Sequence, residues 1–231
     1  MVVEYLASNR PQCETAVRVN SARTLVGVRD LLALVDARIC PDLIVVPKTE
    51  SAVELDWISG LLGESGLSPG LLPFVETLKG ISFIDEIASA PCTVLLGLGT
   101  GDLSAEMGVT MDWEPMQLAR LQLVQAAKRA GVPAMDGAWL QFDDLEGLAA
   151  EVRRSAALGY TAKVCLHPKQ VSAVHVAFSP TAEQLEQARE LVAAFEAADS
   201  GVFLFKGRMV DLPIVALARR QLELWESAIL L

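Results

Sequence analysis

The sequence predicts a parallel α/β fold and, within that class, a TIM-type (β/α)8 barrel. Short, almost uninterrupted apolar runs such as Leu43-Ile44-Val45-Val46 and Val94-Leu95-Leu96-Gly97-Leu98 alternate with longer amphipathic stretches. Strands that are apolar on both faces belong to a parallel sheet whose crossovers are helices. The barrel follows from the polar residues: nearly every run ends in a group able to do chemistry, Arg18 and Asn20, Lys48 and Glu50, Glu76, Asp102, Asp136 and His167. Barrels assemble their sites from several strand ends, whereas an open sheet concentrates its site at one switch point.

In chain order, the apolar runs predict strands over 16–20, 43–48, 72–76, 94–98, 133–140 and 162–167. Helical periodicity fills the gaps at 29–37, 52–62, 81–90, 114–130 and 145–158, with Asp143, Asp144 and Glu146 capping the last. The rhythm then changes. Ser179 or Thr181 caps a helix over 182–198, a hairpin-like piece follows from Val202 to Asp211, and a final amphipathic helix covers 213–229. The expected organisation is a barrel core over 1–175 and a helical lid extension over 176–231.

With 231 residues, 52% of them apolar, and a mean hydropathy of +0.38, the chain can bury a sizeable core. Neither a membrane-spanning apolar run nor a basic-flanked signal segment is evident, so a soluble, cytoplasmic protein is expected. A formal net charge of −10 argues against nucleic-acid or anionic-membrane partners, which demand clustered cations. Cys13, Cys40, Cys92 and Cys165 form no Cys-x-x-Cys pair and are expected as reduced thiols in or beside the core.

Two apolar segments lead to lone acids, Glu76 and Asp102. A carboxylate delivered by a buried strand must be paired or ligated, so two such tips side by side point to a metal site. Helix caps or loop anchors are the structural alternative. Gly97, Gly99 and Gly101 come too late in the strand series for a dinucleotide loop and read instead as room for a phosphate, a metal-bound water or close backbone approach near Asp102. His167 has no metal-ligand spacing to the acids, and structural hydrogen bonding is expected for it.

The strings Val-Arg-Val-Asn, Val-Val-Pro-Lys-Thr-Glu-Ser, Phe-Val-Glu-Thr-Leu-Lys-Gly, Gly-Thr-Gly-Asp-Leu, Asp-Gly-Ala-Trp-Leu-Gln-Phe-Asp-Asp-Leu-Glu-Gly-Leu, Leu-His-Pro-Lys-Gln and Gly-Arg-Met-Val-Asp-Leu-Pro occur in that order. Together they resemble the citrate lyase beta-subunit-like acyl-CoA lyases of the HpcH/HpaI aldolase superfamily. The resemblance implies a TIM barrel, Mg2+ held by Glu76 and Asp102, and Arg18 as a catalytic and substrate-binding cation. It further implies Asp211 as a catalytic acid/base carried on the C-terminal appendage, and a homo-oligomer, commonly a trimer or hexamer. Lys48, at a strand tip, is a candidate for the substrate carboxylate or for holding Glu76 or Glu50 in place, and Lys79, Lys163, Lys169 and Arg208 are candidates for the phosphates of coenzyme A. One departure stands out: the first two strands of the family pattern are not found. Six of eight strands are recognisable, which implies a late start or two sheet edges open to pairing.

The expected activity is Mg2+-dependent cleavage of a short 3-hydroxyacyl-CoA, of malyl-, citramalyl- or citryl-CoA type, into acetyl-CoA and a 2-oxo acid. A CoA-independent class II pyruvate aldolase and a non-catalytic assembly subunit are the competing readings.

Overall fold

The structure is a computed structural model and describes residues 2–9, 11–198 and 201–229. It divides into two compact units, residues 1–171 and 172–231.

The first unit opens with helix α1 (Val2–Ser8) and then runs β1 (Ala16–Arg18), α2 (Leu25–Asp36), β2 (Leu43–Val46), α3 (Ala52–Gly63) and β3 (Gly70–Val75). It continues through α4 (Leu78–Ser82), α5 (Ile84–Ser89), β4 (Leu96–Leu98), α6 (Thr100–Met107) and α7 (Trp113–Ala130). The last elements are β5 (Ala134–Asp136), α8 (Leu145–Leu158), β6 (Ala162–Lys163) and the start of α9 (Pro168–Phe178). The six strands form one sheet in the order β1-β2-β3-β4-β5-β6, and every pairing is parallel. All six C-terminal ends therefore point the same way. Among the described residues, β1 and β6 are the two edges.

Local chemistry sets these elements. Side chains of Thr24, Ser51, Thr77 and Asp144 accept hydrogen bonds from the first-turn amides of α2, α3, α4 and α8, so each helix starts where a strand-end loop supplies a cap. Helices α7 and α8 stop at Gly131 and Gly159, both left-handed, a conformation in which a Cβ is costly. Between the layers, Leu31, Ile44, Leu55, Ile58, Leu71, Val75, Ile87, Leu96, Leu98 and Leu103 are fully buried. At about 1.5–3 kcal/mol each, this core holds the sheet against its helices.

Strands β4, β5 and β6 are shorter than the sequence predicts, for identifiable reasons. Pro73 has no amide to give to β4, and between the pairs Leu71↔Thr93 and Phe74↔Gly97 the β4 side carries one residue more than β3. A proline in a central strand is tolerated at such a bulge. The regular part of β4 thus begins at Leu96, not Val94. Strand β5 ends at Asp136 because Gly137 turns against α6: a Cβ there would lie 2.5 Å from Thr100 Oγ1. After β6, Pro168 occupies the first position of α9, where a proline needs no amide partner. Helices α1, α6 and α9 are additions to the expected set.

The second unit comprises the rest of α9, α10 (Ala182–Glu196), the antiparallel hairpin β7 (Val202–Phe205) and β8 (Arg208–Asp211), and α11 (Leu212–Ile229). Thr181 and Gln184 form a reciprocal capping box at α10. Among the described residues no helix is long and apolar enough to cross a membrane. The four cysteines are free, and Cys13 and Cys40 are exposed, which corrects the expectation that all four lie in or near the core.

Candidate metal centre at the strand ends

Parallel pairing of β1 through β4 carries Arg18, Lys48, Glu76 and Asp102 to one rim. Arg18 is the exposed last residue of β1. Glu76 follows β3 directly and is only 4% exposed. Asp102 lies in the first turn of α6. This corrects its expected place at a strand tip, although a helix N-terminus equally favours a carboxylate.

Lys48 connects the two acids. Its φ of 50° is left-handed, and in that conformation its backbone N–H donates to Glu76 Oε1 at 2.8 Å while its ammonium reaches Asp102 Oδ1 at 2.9 Å. Burial raises the Glu76 pKa; the Lys48 amide opposes this, the Asp102 charge adds to it, and the Arg18 and Lys48 charges lower it. Glu76 is thus a buried acid short of positive charge. The hydrogen bond and charge of Asp102 hold the Lys48 ammonium above the ordinary lysine range.

The two halves of the Lys48 bridge differ in weight. The Lys48 and Asp102 side chains are 46% and 47% exposed, and a bridge so exposed contributes at most about 1 kcal/mol. It is easily exchanged. The Glu76 carboxylate, in contrast, is fixed by its surroundings: a Cβ on Gly99 would fall well inside 3.0 Å of both Glu76 Oε2 and Glu76 Cβ. Gly97 similarly leaves room for the Phe74 ring, 2.8 Å from where its Cβ would be, whereas a Cβ on Gly101 would meet only Met111 Sδ at an ordinary 3.9 Å. Gly97 and Gly99 therefore make room for the side chains of Phe74 and Glu76, not for a group near Asp102.

Among the described residues no cluster of three or more His, Cys, Asp or Glu side chains is placed to hold a metal ion. A cation here would be held by two carboxylates, with water completing its shell. That donor set, all hard oxygen, suits Mg2+, which keeps several waters and takes one or two protein carboxylates. The ammonium of Lys48 already stands as a positive charge beside Asp102 and close enough to Glu76 to act on it.

Glu50 takes no part in this contact. It pairs with Arg23 and lies 3.4 Å from Lys79 Nζ. Asp211 ends β8 in the second unit, where its neighbours are those of the hairpin and α11. His167 accepts a hydrogen bond from the Lys169 amide at 3.2 Å and stacks on Phe142, a structural arrangement.

A second polar cluster was not foreseen. Asp136, fully buried, accepts from Arg120 Nε at 3.0 Å, Lys163 Nζ at 2.7 Å and Ser155 Oγ at 2.6 Å. Lys163 also meets Glu151 at 2.5 Å, and Arg120 stacks on Trp113. Lys163, with a side chain 0% exposed, is spent on these acids, which removes it from the candidates for coenzyme A phosphates. The available signal was Arg120 itself, spaced at helical intervals among Met116, Leu123, Val124 and Ala127 on the buried face of α7.

Fold and rim together define a barrel-type α/β protein with a carboxylate pair at the C-terminal strand ends. The model of the HpcH/HpaI aldolase/citrate lyase family matches residues 2–168. Human mitochondrial citramalyl-CoA lyase is 33% identical over 93% of this chain and 69% of its own length. The L-malyl-CoA/beta-methylmalyl-CoA lyase of Cereibacter sphaeroides is 31% identical, covering 90% of this chain and 76% of that protein. Among solved structures, CitE from Mycobacterium tuberculosis in complex with magnesium, acetoacetate and coenzyme A superposes with a TM-score of 0.85 at 31% identity, over 97% of this chain and 83% of that one. The chain belongs to the HpcH/HpaI aldolase/citrate lyase family.

Proposed function

We propose that this protein is a Mg2+-dependent carbon-carbon lyase that splits a short 3-hydroxyacyl-CoA, of malyl-, citramalyl- or citryl-CoA type, into acetyl-CoA and a 2-oxo acid. The observation that carries the proposal is the buried Glu76 joined to Asp102 through Lys48 on the rim. Support comes from the lyase relatives and from the magnesium, acetoacetate and coenzyme A held by CitE.

In this reading Glu76 and Asp102 hold the Mg2+. A Mg2+ held there would supply Lewis acidity to the 3-hydroxyl oxygen of the substrate, the oxygen that becomes the carbonyl of the 2-oxo acid. With Asp102 committed to a metal, the Lys48 ammonium that now pairs with it would be free to meet the substrate carboxylate. Arg18, whose charge already acts on Glu76, steadies the oxygen on which negative charge develops. Cleavage removes the proton from the 3-hydroxyl, breaks the adjacent carbon-carbon bond, and leaves its electron pair as the enolate of the acetyl thioester. A proton delivered to the enolate carbon completes acetyl-CoA. Asp211 is assigned the proton transfer, which requires the second unit of this or a neighbouring copy to close over the rim. Supply of Asp211 by the neighbouring copy would make the active form a homo-oligomer. Four free thiols suit a reducing compartment such as the cytoplasm.

The test is a substrate panel with Mg2+ present, in which release of acetyl-CoA and 2-oxo acid is measured. Cleavage of a hydroxyacyl-CoA, abolished in Glu76→Gln, supports the proposal. Cleavage of free hydroxy-oxo acids with indifference to the thioester identifies a CoA-independent aldolase instead, and turnover of neither identifies an assembly subunit.

A further inference from the structure

The conformation that lets Lys48 reach both acids is left-handed, and for a residue with a side chain this costs about 1 kcal/mol or more. Something must hold it. The Lys48 carbonyl accepts from Arg23 Nη2 at 2.8 Å, and Arg23 Nη1 pairs with the Glu50 carboxylate two residues further on. One guanidinium thus spans both sides of the Lys48-Thr49-Glu50 turn. Glu50 is secured in turn, by Lys79 from α4 and by its own amide on Glu54 Oε2 of α3 at 3.3 Å.

Arg23 projects from a rigid loop. Between β1 and α2, the Asn20 amide and side chain both donate to Asp30 Oδ2, at 2.8 and 2.7 Å, and the Thr24 amide and hydroxyl both donate to Ser21 O, at 2.9 and 2.8 Å. Gly27 packs directly on the Ser21 carbonyl, leaving no room for a Cβ. A loop fixed this tightly serves to aim the side chain it carries.

We infer that Arg23 is a positioning residue for the candidate metal centre, an assignment that rests on the metal reading proposed above. It touches neither acid. By clamping the Lys48 carbonyl it keeps that backbone left-handed, which aims the Lys48 amide at Glu76 Oε1 and so sets the direction of the carboxylate's free oxygen. The fork geometry is essential: an ammonium is a single point of charge and cannot hold a carbonyl and a carboxylate in the planar, two-pronged manner of a guanidinium.

The experiment is Mn2+ binding to the full chain, read by the paramagnetic signal of free Mn2+, for wild type, Arg23→Ala, Arg23→Lys and the surface control Arg129→Ala. Arg129 forms an exposed pair with Asp85 away from the rim. Arg23→Ala is expected to weaken Mn2+ on the order of 10-fold, with Arg23→Lys recovering only a minor part and Arg129→Ala unchanged. Thermal midpoints measured alongside separate positioning from bulk stability: the expected pattern is a lost affinity with a midpoint close to that of Arg129→Ala. Arg23→Ala that binds Mn2+ as tightly as wild type overturns the positioning role while leaving the metal centre standing. Wild type that binds no Mn2+ overturns the metal reading and this assignment with it.

Discussion

Gly99→Ala tests how tightly the fold constrains Glu76. The added Cβ would lie far inside the 3.4 Å at which ordinary contact begins, and it would meet both Oε2 and the Cβ of Glu76. Rotating the glutamate side chain relieves the first contact but not the second, because a Cβ moves only with its backbone. Neither backbone is free: Gly99 donates to Val75 O at 3.0 Å, and β3 is paired on both sides. The strand ends must therefore part by roughly 1 Å, which overpacking series place at about 1–3 kcal/mol of stability. A shift of that size is large beside a Mg2+–oxygen distance of roughly 2.0–2.1 Å, and Mg2+ demands near-ideal octahedral geometry. Divalent-ion affinity should fall at least on the order of 10-fold, equivalent to about 1.4 kcal/mol. Urea midpoints and Mn2+ titration measure the two effects. Gly101→Ala is the control, since its Cβ meets nothing closer than Met111 Sδ at 3.9 Å, and alanine in a helix is favoured over glycine by up to about 1 kcal/mol. Equal Mn2+ affinity in the two variants would refute the reasoning.

Other expectations follow from the same geometry. Lys48→Gly keeps the amide that serves Glu76 and removes the left-handed strain, whereas Lys48→Ala keeps the strain; the glycine variant should be the more stable by about 1 kcal/mol in urea, and equal midpoints would contradict the assigned backbone role. Asp136→Asn leaves Glu151 as the one acid facing Arg120 and Lys163 in the interior and should cost about 3–5 kcal/mol, seen as a large drop in the urea midpoint; a change under about 1 kcal/mol would show that the cluster is not held as described. Burial pushes the Asp136 pKa up, but the Lys163 and Arg120 charges and the Lys163 and Ser155 hydrogen bonds outweigh it, and the net shift is downward. Its contribution to stability is therefore fully present above the unfolded carboxylate value of 3.8 and is lost as pH falls through the lower folded value. Urea midpoints between pH 5 and 2 should fall more steeply in wild type than in Asp136→Asn, and parallel slopes would contradict this. Asp211→Asn should lower turnover of a hydroxyacyl-CoA while leaving Mn2+ affinity unchanged; a matching loss of Mn2+ would place Asp211 among the metal ligands instead.

The parts of the fold that were legible in the sequence are those where a physical requirement writes a local pattern. Strands covered on both faces need continuous apolar residues, so β2 and β3 stand out, and α8 begins and ends at residues 145 and 158 as read because Asp144 caps it and Gly159 stops it. Asp102 reads from the sequence onto the correct rim but the wrong element, because a helix opening on Gly99-Thr100-Gly101 directly after β4 has no apolar stripe to announce it. The glutamate and aspartate of the rim were recognisable as acids following buried runs. That Lys48 holds Glu76 was legible from its place at a strand tip, but that it does so through its amide, with the ammonium on Asp102, was not, since a left-handed lysine and a backbone hydrogen bond leave no mark on residue type. Lys163 and Asp136 were opaque for a related reason: a charge buried against its partner and a charge in water are spelled with the same letters, and only the place of Arg120 on an apolar helix face hinted at the difference.

The central claim is that Glu76 and Asp102 share one divalent cation at the rim. Crystals grown with Mn2+ and a 2-oxo acid, with data collected at the manganese absorption edge, test this directly. A single anomalous peak roughly 2 Å from a carboxylate oxygen of each residue is expected, with the Lys48 ammonium moved away from Asp102. An anomalous peak elsewhere in the molecule, or Lys48 still bridging to Asp102 at saturating Mn2+, would contradict it.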